Sequence, residues 1–181
     1  MSAHSLRIIG GQWRRRRLCF PESAGLRPTP DRVRETLFNW LGQDLSGLAC
    51  LDLFAGSGAL GFEAGSRNAA RVVLVEAAAA ARAALLNNIR GLDAETRMEL
   101  SGRDALEFAA AARSRFDVIF VDPPYHQGWL DRLEGILPAL LTESGLLYLE
   151  AEHPVSAWGG LSVIRQGKAG QVFYHLLQQN A

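Results

Sequence analysis

Two short motifs in the chain carry the residue types that a group-transfer site needs. The first, Asp122-Pro123-Pro124-Tyr125, places a carboxylate beside two prolines and an aromatic ring. Proline fixes the backbone and removes an N–H group, so the Asp122 carboxylate and the Pro123 carbonyl would form two acceptors at a fixed separation. Two such acceptors match the two N–H bonds of an exocyclic amine, and Tyr125 can stack on the base that carries it. Accepting both hydrogens would direct the nitrogen lone pair toward a methyl group on sulfur.

The second motif is a glycine-rich loop, Gly56-Ser57-Gly58-Ala59-Leu60-Gly61, preceded in the same segment by Asp52. A G-x-G-x-x-G loop between a strand and a helix lets the backbone approach a bound nucleoside closely, and dinucleotide enzymes and methyltransferases both use it. A carboxylate at Asp52 would repel a pyrophosphate but suits a ligand with ammonium and sulfonium groups. Glu76, at the end of the next strand, is placed to accept hydrogen bonds from ribose hydroxyls.

Three further acidic residues follow later strands. Asp104 begins Asp104-Ala105-Leu106-Glu107, a pattern typical of a helix capping box. Its position after the third core strand would also place it beside the adenine of a nucleoside cofactor, and the two roles are compatible. Glu150 and Glu152 end the fifth core strand near the expected site, and the sequence assigns them no role.

The motifs lie at the ends of strands in an alternating strand–helix pattern that begins at residue 49. Apolar runs such as Val118-Ile119-Phe120-Val121 are typical of a sheet covered on both faces, and the alternation predicts a doubly wound, Rossmann-like parallel sheet. A final pair of strands without a helix between them predicts an antiparallel hairpin at one edge. The predicted strands are 49–54, 71–75, 97–100, 116–121, 145–149, 161–165 and 171–177, and the predicted helices are 59–66, 77–90, 105–113 and 130–141.

The composition fits one α/β domain with a small basic appendage. The chain has 181 residues, of which 48% are apolar, and 19 basic residues balance 19 acidic ones. This composition excludes a disordered chain and a disulfide-stapled module. Residues 1–34 nevertheless hold eight arginines against two acidic residues. We therefore expect residues 1–28 to form a basic hairpin arm and loop, and residues 29–181 the catalytic domain, with Thr29 capping a helix whose first residue is Pro30.

The basic arm suggests contact with RNA. Arg14, Arg15, Arg16 and Arg17 would alternate sides on the returning strand, so that both hairpin faces, together with Arg7, would offer guanidinium groups to phosphates. The alternative is a solvated edge strand whose charges discourage aggregation. No apolar run is long enough for a secretion signal or a membrane span, so we expect a soluble, cytoplasmic protein.

The two loops together resemble those of class I S-adenosylmethionine-dependent amino-methyltransferases. The N-terminal blocks Arg7-Ile8-Ile9-Gly10-Gly11, Leu26-Arg27-Pro28-Thr29 and Asp31–Leu41, with Lys168-x-Gly170 near the end, narrow the resemblance to the RsmD-type family. Members of that family are bacterial 16S rRNA guanine-N2 methyltransferases. The resemblance covers nearly the whole chain.

The resemblance implies a seven-stranded sheet of order 3-2-1-4-5-7-6 with the last strand antiparallel, helices on both faces, and an N-terminal hairpin plus helix. It also implies transfer of a methyl group from S-adenosylmethionine to N2 of a guanine in 16S rRNA, with the small ribosomal subunit or its assembly intermediate as partner, a monomeric enzyme and no metal. The implied catalytic residues are Asp122, Pro123 and Tyr125. The implied cofactor-binding residues are Arg27, Thr29, Asp52, Phe54, Gly56, Ser57, Gly58, Glu76, Asp104 and Ala105.

Four other functions remain open at this point. The same pair of acceptors would serve N6 of adenine in DNA or RNA. Protein glutamine methylation is disfavoured by the basic arm and by an aspartate, rather than an asparagine, at Asp122. The glycine loop alone would also suit a nicotinamide-dependent oxidoreductase, and a non-catalytic RNA-binding module could retain the same fold.

Overall fold

The computed structural model describes residues 3–22 and 28–180, which form a small N-terminal hairpin and a large mixed sheet flanked by helices. The hairpin strands are β1 (Ala3–Arg7) and β2 (Arg17–Pro21). The sheet strands are β3 (Ala49–Asp52), β4 (Arg71–Val75), β5 (Met98–Ser101), β6 (Phe116–Val121), β7 (Leu141–Ala151), β8 (Ala157–Trp158), β9 (Leu161–Ala169) and β10 (Val172–Gln179). The helices are α1 (Asp31–Leu41), α2 (Ala59–Ser66), α3 (Ala79–Gly91), α4 (Ala105–Ala111) and α5 (Trp129–Leu133), followed by a 3-10 turn at Leu137–Leu140.

The predicted α/β class is confirmed, and the sheet has the strand order β5-β4-β3-β6-β7-β10-β9-β8. Strands β3 to β7 are parallel, and β10 and β9 run antiparallel to their neighbours. The sheet has eight strands rather than seven because Gly159 and Gly160, both with positive φ, turn the chain so that β8 pairs with β9. Within the described residues, no helix has the length and apolar character needed to cross a bilayer.

The predicted helix over 130–141 is wrong, because this segment divides into two short pieces. Helix α5 ends at Leu133, and the chain then passes Gly135 before a 3-10 turn that holds Pro138 near its start. A proline in a helix interior removes a hydrogen bond and clashes with the preceding turn, which ends the regular helix here. Strand β7 consequently begins at Leu141 rather than at residue 145.

Each face of the sheet buries its own apolar cluster. On one face, side chains such as Cys50, Val72 and Phe120 pack with α1, α2, α3 and the hairpin. On the other face, Leu51 and Val121 pack with α4 and α5. Alternate residues of a strand point to opposite faces, so a continuous apolar strand contributes side chains to both clusters. The carboxyl ends of β3 to β7 remain open for a site.

The arginine-rich segment forms the turn of the hairpin, so the expected alternation of Arg14 to Arg17 along a strand is wrong. Only Arg17 belongs to β2, and Arg15 has a left-handed φ of 70°. The Trp13 N–H donates to Ser66 Oγ at 2.9 Å, and Arg16 donates to the Gly91 carbonyl at 2.7 Å. The two acceptors, Ser66 and Gly91, are the last residues of α2 and α3, and both helices run away from the carboxyl edge of the sheet. The arginine turn therefore lies about 20 Å, the length of α3, from that edge.

A buried ionic hub joins the hairpin to α1 and α2. Glu63 is fully buried on α2 and accepts hydrogen bonds from the Ile9 N–H at 2.7 Å, from Arg34 Nη1 at 2.7 Å and from Arg67 Nη1. Arg34, only 1% exposed, also donates from Nε to the Thr29 carbonyl at 3.2 Å. These contacts hold Thr29, and with it the start of α1, beside the carboxyl edge of the sheet.

Candidate functional site

The two motifs meet at the carboxyl edge of the sheet. Strands β3 and β6 are parallel neighbours with Asp52 in register with Phe120, and the Leu53 N–H donates to the Phe120 carbonyl at 3.1 Å. Asp122 follows Phe120 by two residues, so its side chain lies on the same face as Asp52. The glycine loop and the Asp-Pro-Pro-Tyr loop therefore border one site, as the sequence predicted.

Asp52 is a buried acid held against the start of α2. Its Oδ2 accepts a hydrogen bond from the Gly61 N–H at 2.9 Å. Burial raises the pKa of Asp52 to about 7, the Gly61 N–H opposes this rise, and repulsion from Glu76 adds to it. A side chain at Gly61 would lie 2.2 Å from Leu74 and 3.2 Å from Asp52 Oδ2, so only glycine allows this contact. A cationic ligand beside Asp52 would favour its ionised form.

Glu76 fixes the glycine loop. Its Oε2 accepts from the Gly56 N–H at 2.9 Å, and its Oε1 accepts from the Ala78 N–H at 2.7 Å. Each oxygen retains a second lone pair for a ligand hydroxyl. Gly58 has a φ of +80°, and a side chain there would collide with Phe62, so the turn requires glycine. Ser57, between the two glycines, is buried.

Asp104, Ala105 and Phe54, also predicted to bind the cofactor, border the same edge. Asp104 caps α4, because its Oδ1 accepts from the Glu107 N–H at 2.8 Å, and this confirms the predicted cap. Ala105 is buried behind it. Phe54 packs edge-on against Trp129 at 5.2 Å between ring centroids. Arg27 lies outside the described residues.

Thr29 does not cap α1, contrary to the sequence prediction. Pro30 occupies the N-cap position, α1 begins at Asp31, and no side chain of the described residues caps the backbone N–H groups of the first turn. The buried Thr29 hydroxyl lies instead 3.5 Å from Asp122 Oδ2. The Arg34 guanidinium holds the Thr29 carbonyl and so turns this residue toward the site.

Asp122 is half-buried in an acidic environment. Its pKa is raised well above the usual range, chiefly by burial and then by repulsion from Glu150 and Asp52, while the Thr29 hydroxyl opposes the rise. A carboxyl group with raised pKa is a stronger proton acceptor once it ionises. This is the property expected of a group that removes a proton from an amine.

Glu150 is the functional candidate that sequence reasoning missed. It lies across from Asp122 at the end of β7, is 4% exposed, and accepts a hydrogen bond from the Tyr148 hydroxyl at 2.8 Å. One sequence feature could have identified it. Glu150 directly follows the apolar run 146–149, and an acidic residue at a buried strand end requires a partner. In the sequence this signal could not be separated from an ordinary loop acid.

The segment after Asp122 presents the groups expected to hold a base. Tyr125 is 39% exposed at the rim, and its ring is available for stacking. The carboxylate of Glu152 accepts from His126 Nδ1 at 2.9 Å and from the His126 N–H, which anchors the end of the loop. Among the described residues, no N–H or hydroxyl donates to the carbonyl of the buried Pro123.

The donor set fits S-adenosylmethionine. The buried carboxyl group of Asp52 suits a ligand with a positively charged sulfur and an ammonium group, and the outer lone pairs of Glu76 suit ribose hydroxyls. Among the described residues, no arginine or lysine bonds to the carboxyl groups of Asp52, Glu76 or Asp122, and carboxylates without a basic partner disfavour an anionic pyrophosphate. The geometry therefore favours a sulfonium nucleoside over a dinucleotide.

Comparison with known proteins agrees with this geometry. The protein-family model described as "Conserved hypothetical protein 95" matches residues 6–178. The ribosomal RNA small subunit methyltransferase D of Escherichia coli (strain K12) is 43% identical, covering 97% of this chain and 91% of the relative. The solved Escherichia coli protein yhhF superposes with a TM-score of 0.87 at 42% identity, covering 98% of this chain and 99% of that one.

A more distant solved structure shares the fold. It is a Thermus thermophilus 16S rRNA N2 G1207 methyltransferase in complex with AdoMet and guanosine, with a TM-score of 0.73 and 23% identity. The match covers 99% of this chain and 50% of that one. The large sheet described above is therefore a class I methyltransferase fold.

Proposed function

Since the chain belongs to the family of ribosomal RNA small subunit methyltransferase D, we propose that it methylates N2 of a guanine in 16S rRNA. The methyl donor is S-adenosylmethionine, and the substrate partner is the small ribosomal subunit or its assembly intermediate. The enzyme acts in the cytoplasm as a monomer.

The observation that carries this proposal is the position of Asp122 beside Asp52 at the ends of adjacent parallel strands. Asp52, Glu76 and the glycine loop would hold the nucleoside and sulfonium parts of the cofactor. Asp122 and the Pro123 carbonyl would accept the two N–H groups of the target amine next to that cofactor. The proposed donor and acceptor would therefore lie side by side at the carboxyl edge of the sheet.

The chemistry needs three contributions from the chain. S-adenosylmethionine supplies a methyl group on a positively charged sulfur, which keeps the electron pair of the broken carbon–sulfur bond. The two oxygens of Asp122 and Pro123 orient the amine so that its lone pair faces the methyl carbon. As the nitrogen–carbon bond forms, one N–H bond breaks, and Asp122 takes that proton and later releases it to water. Tyr125 stacks on the extruded base and keeps it in line.

Nucleoside mass spectrometry tests this function. Small subunits from cells that lack the modification are incubated with the protein and isotope-labelled S-adenosylmethionine, and the 16S rRNA is digested to nucleosides. We expect label in N2-methylguanosine. Label in N6-methyladenosine would instead support the adenine alternative, and label in ribosomal protein would support glutamine methylation.

We further propose that the arginine turn contacts rRNA phosphates at a distance from the target base. Arg14, Arg15, Arg16 and Arg17 are exposed, and the contact of Arg16 with Gly91 lies at the edge opposite the site. Arg7 is also exposed, on β1, but its carbonyl accepts from Arg34 nearer the site. A structured RNA of the size of 16S rRNA can span the roughly 20 Å between the two edges. Such contacts would supply affinity rather than choice of base.

Removal of two of these charges should weaken RNA binding. For the double substitution Arg14→Gln and Arg17→Gln, we expect affinity for 16S rRNA to fall about tenfold at 0.1 M salt, because fewer counterions are released. The slope of log affinity against log salt should fall by about 1 to 2. Filter binding across a salt series measures both quantities.

The matched control removes two arginines that are exposed on the other side of the sheet, Arg113→Gln and Arg115→Gln. This control should leave affinity and salt slope at the wild-type values. Equal behaviour of both double variants would show that the arginine turn is only a solvated edge.

A further inference from the structure

The site contains two neighbouring carboxyl groups, the half-buried Asp122 and the buried Glu150, where the proposed reaction uses one. Asp122 directly follows β6, and Glu150 is the next-to-last residue of β7. The parallel register that pairs Val121 with Leu149 continues to these two residues and places their side chains opposite each other on the same face. They lie within hydrogen-bonding reach of each other, and the Thr29 hydroxyl lies beside both. Two carboxyl groups in such contact bind one proton between them at pH values where separate carboxylates are ionised.

The groups of the described residues that face the pair are acidic or neutral. Asp52 faces Asp122 from β3, and Tyr125 lies at the rim of the same pocket. Tyr148 of β7 donates to Glu150, and Tyr174 of β10 lies in register with Glu150. Among the described residues, no lysine, arginine or histidine bonds to either carboxyl group; Arg34 reaches the Thr29 carbonyl instead, and His126 pairs with Glu152.

The contacts also show which member of the pair holds the negative charge more easily. The Tyr148 hydroxyl donates to Glu150 at 2.8 Å, whereas the Thr29 hydroxyl reaches Asp122 only at 3.5 Å. A shorter hydrogen bond to a carboxylate stabilises the charged form more. Glu150 therefore ionises first, and its charge then makes Asp122 hold its proton more tightly.

We propose that Glu150 is a positioning residue that keeps Asp122 basic enough to take the amine proton, by holding a second carboxylate against it. This inference rests on the function proposed above. Glu150 itself makes no contact with the substrate. Its effect passes entirely through Asp122, whose ionised form is the one that accepts the amine N–H groups.

The substitution Glu150→Gln tests this role through the pH profile of methyl transfer. Glutamine retains the size and an acceptor for Tyr148 but cannot repel the Asp122 carboxylate. Asp122 should then ionise at lower pH, so we expect the acidic limb of kcat/KM to move down by about one pH unit or more. The plateau of kcat should also fall, because a weaker base takes the proton less readily.

The control is Glu143→Gln, the same substitution at an exposed position near the start of the same strand. Its pH profile should coincide with that of the wild type. A Glu150→Gln profile with lower activity but an unmoved acidic limb would overturn the proposal, since a purely structural defect lowers activity at every pH. If the wild type itself methylates no guanine, the proposed function fails instead, and the two failures are thereby distinguished.

A second measurement needs no catalysis. An acid whose pKa is raised by folding stabilises the folded state below its unfolded pKa, and this contribution is lost as the pH rises through the folded pKa. Removing Glu150 should therefore make the free energy of unfolding decline less steeply with rising pH than in the wild type and in Glu143→Gln. Parallel pH dependences for all three proteins, measured by urea unfolding, would also contradict the proposal.

Discussion

Replacement of Asp122 by alanine is expected to lower kcat by about 100-fold or more, because the transition state loses an acceptor aimed at the reacting amine. Affinity for S-adenosylmethionine should remain near the wild-type value, since Asp52, Glu76 and the glycine loop are untouched. Single-turnover methylation of 16S rRNA gives the rate, and isothermal titration gives the cofactor affinity.

The folded state should tolerate this change. Burial and repulsion from Glu150 and Asp52 already disfavour the ionised Asp122, so its removal relieves an unfavourable interaction. The thermal midpoint of the variant should therefore not fall enough to explain the loss of activity. Wild-type turnover by Asp122→Ala would remove Asp122 from the reaction, and equal loss of cofactor binding would move it into the cofactor site.

Replacement of Glu63 by alanine is expected to have the largest effect on stability, about 3–5 kcal/mol in the free energy of unfolding. The change leaves the guanidinium groups of Arg34 and Arg67 buried without their shared carboxylate. It also removes the acceptor for the Ile9 N–H, so the hairpin loses an anchor on α2. Urea unfolding monitored by circular dichroism measures the change.

The matched control is Glu99→Ala, which breaks the ion pair between Glu99 and Arg71 on the surface of β4 and β5. Exposed pairs contribute at most about 1 kcal/mol, so this variant should remain close to the wild type. Similar losses of unfolding free energy for Glu63→Ala and Glu99→Ala would show that the buried ion pairs of Glu63 stabilise the protein no more than an exposed ion pair does.

The strand–helix alternation and the two loops could be predicted because each depends on local patterns. Residues 71–75 and 116–121 were bounded correctly, since an apolar run flanked by polar residues defines a buried strand. Asp52 and Asp122 could be placed together because parallel strands present their carboxyl ends at one edge. The position of each motif directly after a strand was therefore sufficient to predict its chemistry.

The features that could not be predicted depend on contacts between distant segments. Thr29 looked like a helix cap, but the Arg34 side chain holds its carbonyl and its hydroxyl faces Asp122. Glu150 could not be distinguished from a loop acid until the register of β6 and β7 placed it opposite Asp122. The location of the arginine turn likewise could not be predicted, because it depends on contacts with the last residues of α2 and α3.

The most direct test of the account is a crystal structure of the protein with S-adenosylhomocysteine and an RNA oligonucleotide that contains the target guanine. We expect the guanine N2 to lie about 2.7–3.2 Å from both an Asp122 carboxylate oxygen and the Pro123 carbonyl oxygen. Its nitrogen should also point toward the cofactor sulfur. A bound guanine whose N2 contacts neither oxygen would contradict the proposed mechanism.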